Sequence, residues 1–405
     1  MTTKNNIPEG YKDSAVGIIP QEWCVFDFGD IAYVSKEKYT PTKSSHIACV
    51  ELEHISQGDG VLLGYTEAGL QKSTKNIFKK GNILFGKLRP YLRKYWLATF
   101  DGVCSSEIWV LLANERVCTN EYLSRIIATN KFIQCTNVSI GSKMPRADWN
   151  FVSLTPFPIP PMAEQKKIAE ILGVWDEAIE KQNLLIEKLE LRKRGLMQRL
   201  LTGKTRLPGF TEPWQKVKFK QIFEKKNITF EESNTTLEIL SVTKEGVMSQ
   251  KEYFSKDIAS EDISKYKLVE RGDLAMSGLN FWMGSCHILT EYDRGLISPA
   301  YKVFCVNYNY NLPFIIHFVR GHAFKYSLIG CSVVGASIVR RNLDKEMLNE
   351  WIYLIPSLSE QKAIAEVLNT ADKEIAIHSK TLDALRLQKR GLMQQLLTGK
   401  TRVKI

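Results

Sequence analysis

Apolar residues recur at alternating steps of four and three along two stretches of the chain. The first runs through Ile168, Leu172, Trp175, Ile179, Ile186, Leu189, Leu196 and Leu200. The second runs through Ile364, Leu368, Ala371, Ile375, Leu382, Leu385, Leu392 and Leu396. This is a heptad seam, the pattern that buries one stripe of a helix against a partner helix. Each stretch predicts a helix of about 38 residues, or roughly 57 Å at 1.5 Å per residue. Helices of that length point to a coiled coil or a spacer.

The two stretches are copies of each other. Glu164–Arg206 and Glu360–Arg402 align without a gap at an offset of 196 residues, and 24 of 43 positions are identical. The period is too long for a solenoid unit, so it reads as a duplication: a globular unit and a helix, then another of each. Ser357 and Glu360 have the spacing of a capping box. Pro161 in the first copy also suits a helix start. Gly203 and Gly399 stand where a left-handed C-terminal cap belongs.

Polar residues interrupt both seams in register: Gln182 matches His378, and Lys193 matches Lys389. In an antiparallel pair Gln182 and His378 meet at the centre, where a polar layer would set register; the alternative is that both face solvent. Gly195 and Gly391 sit mid-helix, where glycine costs about 1 kcal/mol relative to alanine. Keeping it twice points to close approach of another backbone, either the sister helix or a separate docked subunit.

The globular units alternate short β-like runs with turns. Strands are expected at Ile47–Leu52, Val61–Tyr65, Asn82–Phe85, Tyr95–Thr99 and Ile108–Leu112, with a helix at Glu121–Asn130. In the second unit they are expected at Leu237–Val242, Asp273–Met276, Cys286–Leu289 and Tyr301–Val306, with a helix near Pro313–Gly321. Residues 1–22 read as polar and irregular. Trp23 and Trp214 follow matching entry segments and should plug equivalent edges. The expected divisions are 1–158 and 207–354 for the globular units, and 159–206 and 355–405 for the helices. The fold class is therefore α+β: two β-rich domains, each followed by a long helix, with the helices pairing as an antiparallel coiled coil.

Composition adds the outline of a partner. The net charge of +11 favours an anionic one. No apolar run reaches the ~18 residues of a membrane span, and the N-terminus carries no signal-peptide pattern. The eight cysteines form no CxxC pair, so they read as free, mostly buried thiols in a reducing cytoplasm.

Catalytic motifs are lacking. Gly203-Lys204-Thr205 and Gly399-Lys400-Thr401 echo a phosphate-binding loop, but Gln198 and Gln394 stand where its first glycine belongs, and both follow a helix rather than a strand. Basic-aromatic loops are more informative. Gly86–Trp96 gathers Lys87, Arg89, Tyr91, Arg93 and Lys94, residue types that contact phosphates and read guanine edges; the alternative is a solvated basic turn. The equivalent stretch of the second unit offers Ser277, Asn280 and Trp282, with Asn280 suited to adenine; there the aromatics have a core reading as well. Two further loops match each other, one with Ser142, Lys143 and Arg146, the other with Ser337, Arg340 and Arg341. Both are candidates for DNA contact or for exposed turns.

The layout resembles the specificity subunits of type I restriction–modification systems over essentially the whole chain. The resemblance rests on Ile159-Pro160-Pro161-Met162-Ala163-Glu164-Gln165 and Ile355-Pro356-Ser357-Leu358-Ser359-Glu360-Gln361. Lys193–Gln198, Leu200–Lys204 and the loop Gly86–Leu92 add to it, all in duplicated order. It implies a non-catalytic subunit whose two target-recognition domains each read one half of a bipartite DNA target. It implies that two methyltransferase subunits dock on the helices and that translocating nuclease subunits join them. S-adenosylmethionine, ATP and Mg²⁺ would belong to those partners, with none in this chain. Because the two units differ in sequence, the target should be asymmetric.

Two other classes compete. One is an enzyme fused to its own recognition domains, which the missing motifs disfavour. The other is an assembly protein with two protein-binding units, which the basic loops disfavour and a salt-sensitive DNA-binding assay would separate.

Overall fold

The computed structural model describes residues 7–137, 144–228, 237–254, 263–334 and 341–405. The chain divides into two compact units. The first holds residues 1–183 and 381–405, and the second holds 184–380. Each division falls inside a long helix, so each unit owns one globular domain and half of each helix.

The long helices are Met162–Leu200 and Leu358–Leu396, 39 residues each. Every seam position named above is buried or half-buried, which is why the sequence needs the stripe. In the first unit Ile168 and Leu172 share a core with Leu396 and Leu397. In the second, Ile364 and Leu368 share one with Leu200 and Leu201. Within each unit the first half of one helix therefore runs antiparallel to the last half of the other.

The polar interruptions explain themselves in this arrangement. Lys389 pairs with Asp176 in the first unit, and Lys193 pairs with Asp372 in the second. Asp176 also holds Arg125, and Asp372 faces His317 at 4.0 Å. The repeat thus places the lysine of one copy against the aspartate of the other, once in each unit. Gln182 belongs to the first unit and His378 to the second, and each is half-buried.

The domains share a four-stranded antiparallel sheet of the same order. In the first it runs Tyr95–Leu97, Ile83–Gly86, Ile108–Ala113, Ala32–Val34. In the second it runs Cys286–Ile288, Leu274–Met276, Lys302–Val306, Phe223–Lys226. Helices Asn120–Ile127 and Asn130–Thr136 follow in the first unit, and Leu312–Arg320 and His322–Gly330 in the second; the later helix of each pair was not anticipated. Each domain closes on a strand pair linking its entry to its exit: Cys24–Asp27 with Pro156–Ile159, and Gln215–Lys218 with Ile352–Ile355.

Four expectations need correction. Residues 61–65 form no strand beyond an isolated bridge from Leu62 to Ile55; Leu62 alone packs inward, while Val61, Leu63 and Tyr65 are exposed. The entry segment is not wholly irregular, because Tyr11–Lys12 pairs with Ile19–Pro20. The capping box is one-sided. The Glu360 N–H lies 3.5 Å from the Ser357 hydroxyl, but its carboxylate is taken by Arg206 and Trp214. Finally, a Cβ on Gly195 or Gly391 would meet nothing within 4 Å. Among the described residues no backbone packs against either glycine, which removes the sister helix as the reason and leaves the docked subunit.

The Glu-Gln dipeptide that opens each copy locks its domain to the helix pair. Glu164, 0% exposed, accepts from the Trp23 indole at 2.9 Å and from Arg402 at 2.7 and 3.0 Å. Glu360 accepts from the Trp214 indole at 3.1 Å and from Arg206 at 2.6 and 2.7 Å. Gln165 accepts from the Thr119 N–H and donates to the carbonyls of Val117 and Pro160. Gln361 repeats this with the Asn311 N–H and the Pro356 carbonyl. Gly203 and Gly399 take φ of +69° and +73°, the left-handed cap conformation that returns each arginine to its glutamate.

Candidate nucleic-acid interface

In both domains the leading candidate loop joins the same two strands of the shared sheet. In the first it leaves strand Ile83–Gly86 and enters Tyr95–Leu97. A short 3₁₀ turn, Pro90–Leu92, lies between Arg89 and Arg93, both left-handed at φ +52°. Among the described residues these are the two non-glycine positions with positive φ. Such a backbone costs on the order of 1 kcal/mol or more per residue and clusters at binding sites.

Pro145 and Arg146, at the described end of this unit's second candidate loop, lie alongside the first. Leu88 forms a β-bridge with Arg146, and the Arg89 N–H donates to the Pro145 carbonyl at 2.8 Å. The two basic segments found separately in sequence thus form one surface. Their cations do not all serve it equally. Arg146 is held by Glu107 at 3.0 and 3.3 Å, which pushes its already high pKa higher. Lys94 donates to the Leu52 carbonyl at 2.6 Å, and Arg93 to Asn130 at 2.7 Å. These three shape the loop. The side chains of Lys87, Arg89 and Tyr91 make no hydrogen bond or ion pair among the described residues, which leaves them open to a ligand. Ser142 and Lys143 lie outside the described residues.

The loop of the second unit leaves strand Leu274–Met276 and enters Cys286–Ile288. The Ser277 hydroxyl is spent within the loop, accepting from the Asn280 N–H at 3.1 Å. Phe281 is core, as its alternative reading had it, whereas Asn280 is exposed. Gly278 is required by close approach, since a Cβ there would stand 2.3 Å from the Ala300 carbonyl oxygen. Here too the two candidate segments meet: the Arg341 guanidinium stacks 4.2 Å over the Trp282 ring. Arg341 also donates to Ser332 at 3.0 Å, while its Nε has no partner. Ser337 and Arg340 lie outside the described residues.

A group of lysines not anticipated from sequence lies in the same domain. Burial, together with Lys345, Lys267 and Lys225, lowers the Lys302 ammonium to about 8. Its Nζ lies 5.9 Å over the Phe281 ring of the candidate loop. These residues come from four separate segments, so no local motif marks them. Lysines that repel each other beside a candidate loop suit a polyanion.

Residues 20–191 match the family of type I restriction modification DNA specificity domains. The chain is 24% identical to a putative MjaX type I restriction enzyme specificity subunit of Methanocaldococcus jannaschii, covering 98% of this chain and 97% of that one. It is 30% identical over 186 residues to the EcoDI specificity subunit of Escherichia coli, and this match spans 44% of the chain and 41% of that relative. Among solved structures, the type I restriction–modification S subunit from M. genitalium superposes with a TM-score of 0.52 at 13% identity, covering 98% of each chain. A chain from a study of type I system assembly and conformational transition gives 0.59 at 18% identity, covering 95% of this chain and 99% of that one. The structural likenesses establish a shared fold.

Proposed function

We propose, for a chain that belongs to the specificity subunits of type I restriction–modification systems, that each domain reads one half of a bipartite double-stranded DNA target. The subunit is non-catalytic. The observation that carries the reading is one framework with two different loops: the same four-strand order presents Lys87–Lys94 in one unit and Ser277–Trp282 in the other. A shared four-stranded framework with unlike side chains reads unlike half-sites, so the target is asymmetric.

The helix pair sets the spacing of the half-sites and docks two methyltransferase subunits. Gly195 and Gly391, with open space where a Cβ would stand, suit that docking. Gln182 and His378 set the register of the pair. Translocating nuclease subunits join through the methyltransferases. S-adenosylmethionine, ATP and Mg²⁺ act in those partners, and the complex works in the cytoplasm. Among the described residues no helix is long and apolar enough to cross a membrane.

Two outcomes test the loops. Lys87→Ala with Arg89→Ala weakens binding to the target duplex roughly 10- to 100-fold and lowers the salt slope by about one to two. The fold is retained, because neither side chain is used internally. A fluorescence-anisotropy salt titration checks this, and unchanged affinity and slope would remove the loop from the interface. The second outcome concerns Lys302. A phosphate beside it favours the charged form, so binding takes up a proton near pH 8. Affinity therefore rises as pH falls from about 9 to about 7, and Lys302→Met flattens that profile in the same assay.

A further inference from the structure

A cavity of about 260 Å³ lies behind the second reading loop, lined by Lys244, Met283, His287, Arg320, Lys325 and Leu328 among others. The geometry points to a pocket for a phosphate oxyanion, with Lys244, Arg320 and Lys325 at its mouth and His287 inside. This goes beyond sequence reading, and its test does not depend on that role.

Three observations carry it. First, Lys244, Arg320 and Lys325 are exposed, converge on one cavity, and have no ion-pair partner among the described residues. Second, His287 is only 7% exposed, and its Nδ1 has no hydrogen-bond partner among the described residues. Its Nε2 lies 3.1 Å from the Thr243 carbonyl and 3.2 Å from that of Lys244. Carbonyls only accept, so Nε2 carries the proton and Nδ1 keeps a buried lone pair. A buried lone pair without a partner is costly, which makes this lining ring sensitive to a charge placed in the cavity. Third, the equivalent strand position of the first unit carries no imidazole. His287 is the middle residue of its strand, paired with Ala275. The middle residue of the corresponding strand is Trp96, paired with Leu84, and that ring is packed into the core.

Phosphate chemistry fits both parts of the pocket. The cations neutralise the anionic oxygens. An anion held there also favours protonation of the His287 ring, which then adds a positive charge behind the three exposed cations. Burial, followed by the fields of Arg320 and Lys325, holds the His287 pKa below its ordinary value in the empty pocket. Cys286 is the remaining titratable lining group, and burial keeps its thiol protonated. A bound anion reverses the His287 shift. The source is either free phosphate or the DNA backbone.

The test is calorimetric titration of the full-length chain with inorganic phosphate at constant ionic strength, paired with NMR of the His287 ring. Wild type is expected to bind one phosphate saturably and to shift the His287 resonances. Arg320→Ala and Lys325→Ala each weaken binding roughly tenfold, with unchanged circular dichroism because both side chains are exposed. His287→Gln also weakens it, while Arg116→Ala, an exposed cation of the first unit, leaves it intact. If phosphate competes with duplex DNA in wild type but not in the Arg320/Lys325 double variant, the backbone is the occupant. Binding without competition assigns free phosphate. The proposal is overturned by absence of saturable binding together with equal DNA affinity in wild type and the double variant, or by phosphate binding that Arg320→Ala, Lys325→Ala, His287→Gln and the double variant all retain.

Discussion

Arg402→Ala destabilises the first unit by about 3 kcal/mol, and Arg206→Ala destabilises the second. Each arginine ends one copy of the repeat and meets the glutamate that opens the other. The Glu164 carboxylate is fully buried, with Arg402 and the Trp23 indole as its partners. Removing the guanidinium leaves a buried charge with one neutral donor, and breaking such a pair typically costs about 3–5 kcal/mol. The lower end applies because the Arg402 side chain is 32% exposed and Arg206 26%, so water can enter the vacated space. Pairing Arg402→Met with Glu164→Gln recovers part of the loss by removing the stranded charge. Hydrogen exchange in Cys24–Asp27 and Pro156–Ile159 with increasing urea measures the effect. A loss under about 0.5 kcal/mol would place these arginines among ordinary surface ion pairs.

Truncation after Arg206 yields a fragment that pairs with itself. The truncated first unit lacks Lys389, Leu396, Leu397 and Arg402, which serve Asp176, the core beside Ile168 and Leu172, and Glu164. A second copy of the fragment supplies the identical side chains Lys193, Leu200, Leu201 and Arg206 from its own tail. An exposed apolar stripe with a matching partner in solution associates. Sedimentation is expected to show a dimer. Methylation directed by it falls on a symmetric target built from the first half-site twice. A monomeric fragment with intact secondary structure would refute the exchange.

Much of this was legible in the sequence because a helix pair is written in a local code. The seam at Ile168, Leu172 and Leu200, the caps at Gly203 and Gly399, and the matched loops at Lys87 and Ser277 all depend on spacing within a few turns. What stayed hidden depends on distant segments meeting. Glu360 looked like half of a capping box because its true partner, Arg206, is 154 residues away. Lys193 and Lys389 looked like defects in the seam until Asp372 and Asp176 stood opposite them. The loops at Lys87 and Arg146 read as separate candidates because only the bridge from Leu88 to Arg146 joins them. Lys94 and Arg146 looked like ligand-binding cations, yet their charges are spent on Leu52 and Glu107. The cavity around His287 draws on four segments and left no motif.

Methylation mapping tests the central claim most directly. The chain is co-expressed with its methyltransferase subunit, and the host DNA is sequenced for N6-methyladenine. The account predicts a single interrupted and asymmetric motif, with the half-site read by the first domain altered in the Lys87/Arg89 variant and the other half unchanged. A palindromic motif from the intact chain, or no motif from a complex shown to be assembled, would contradict it.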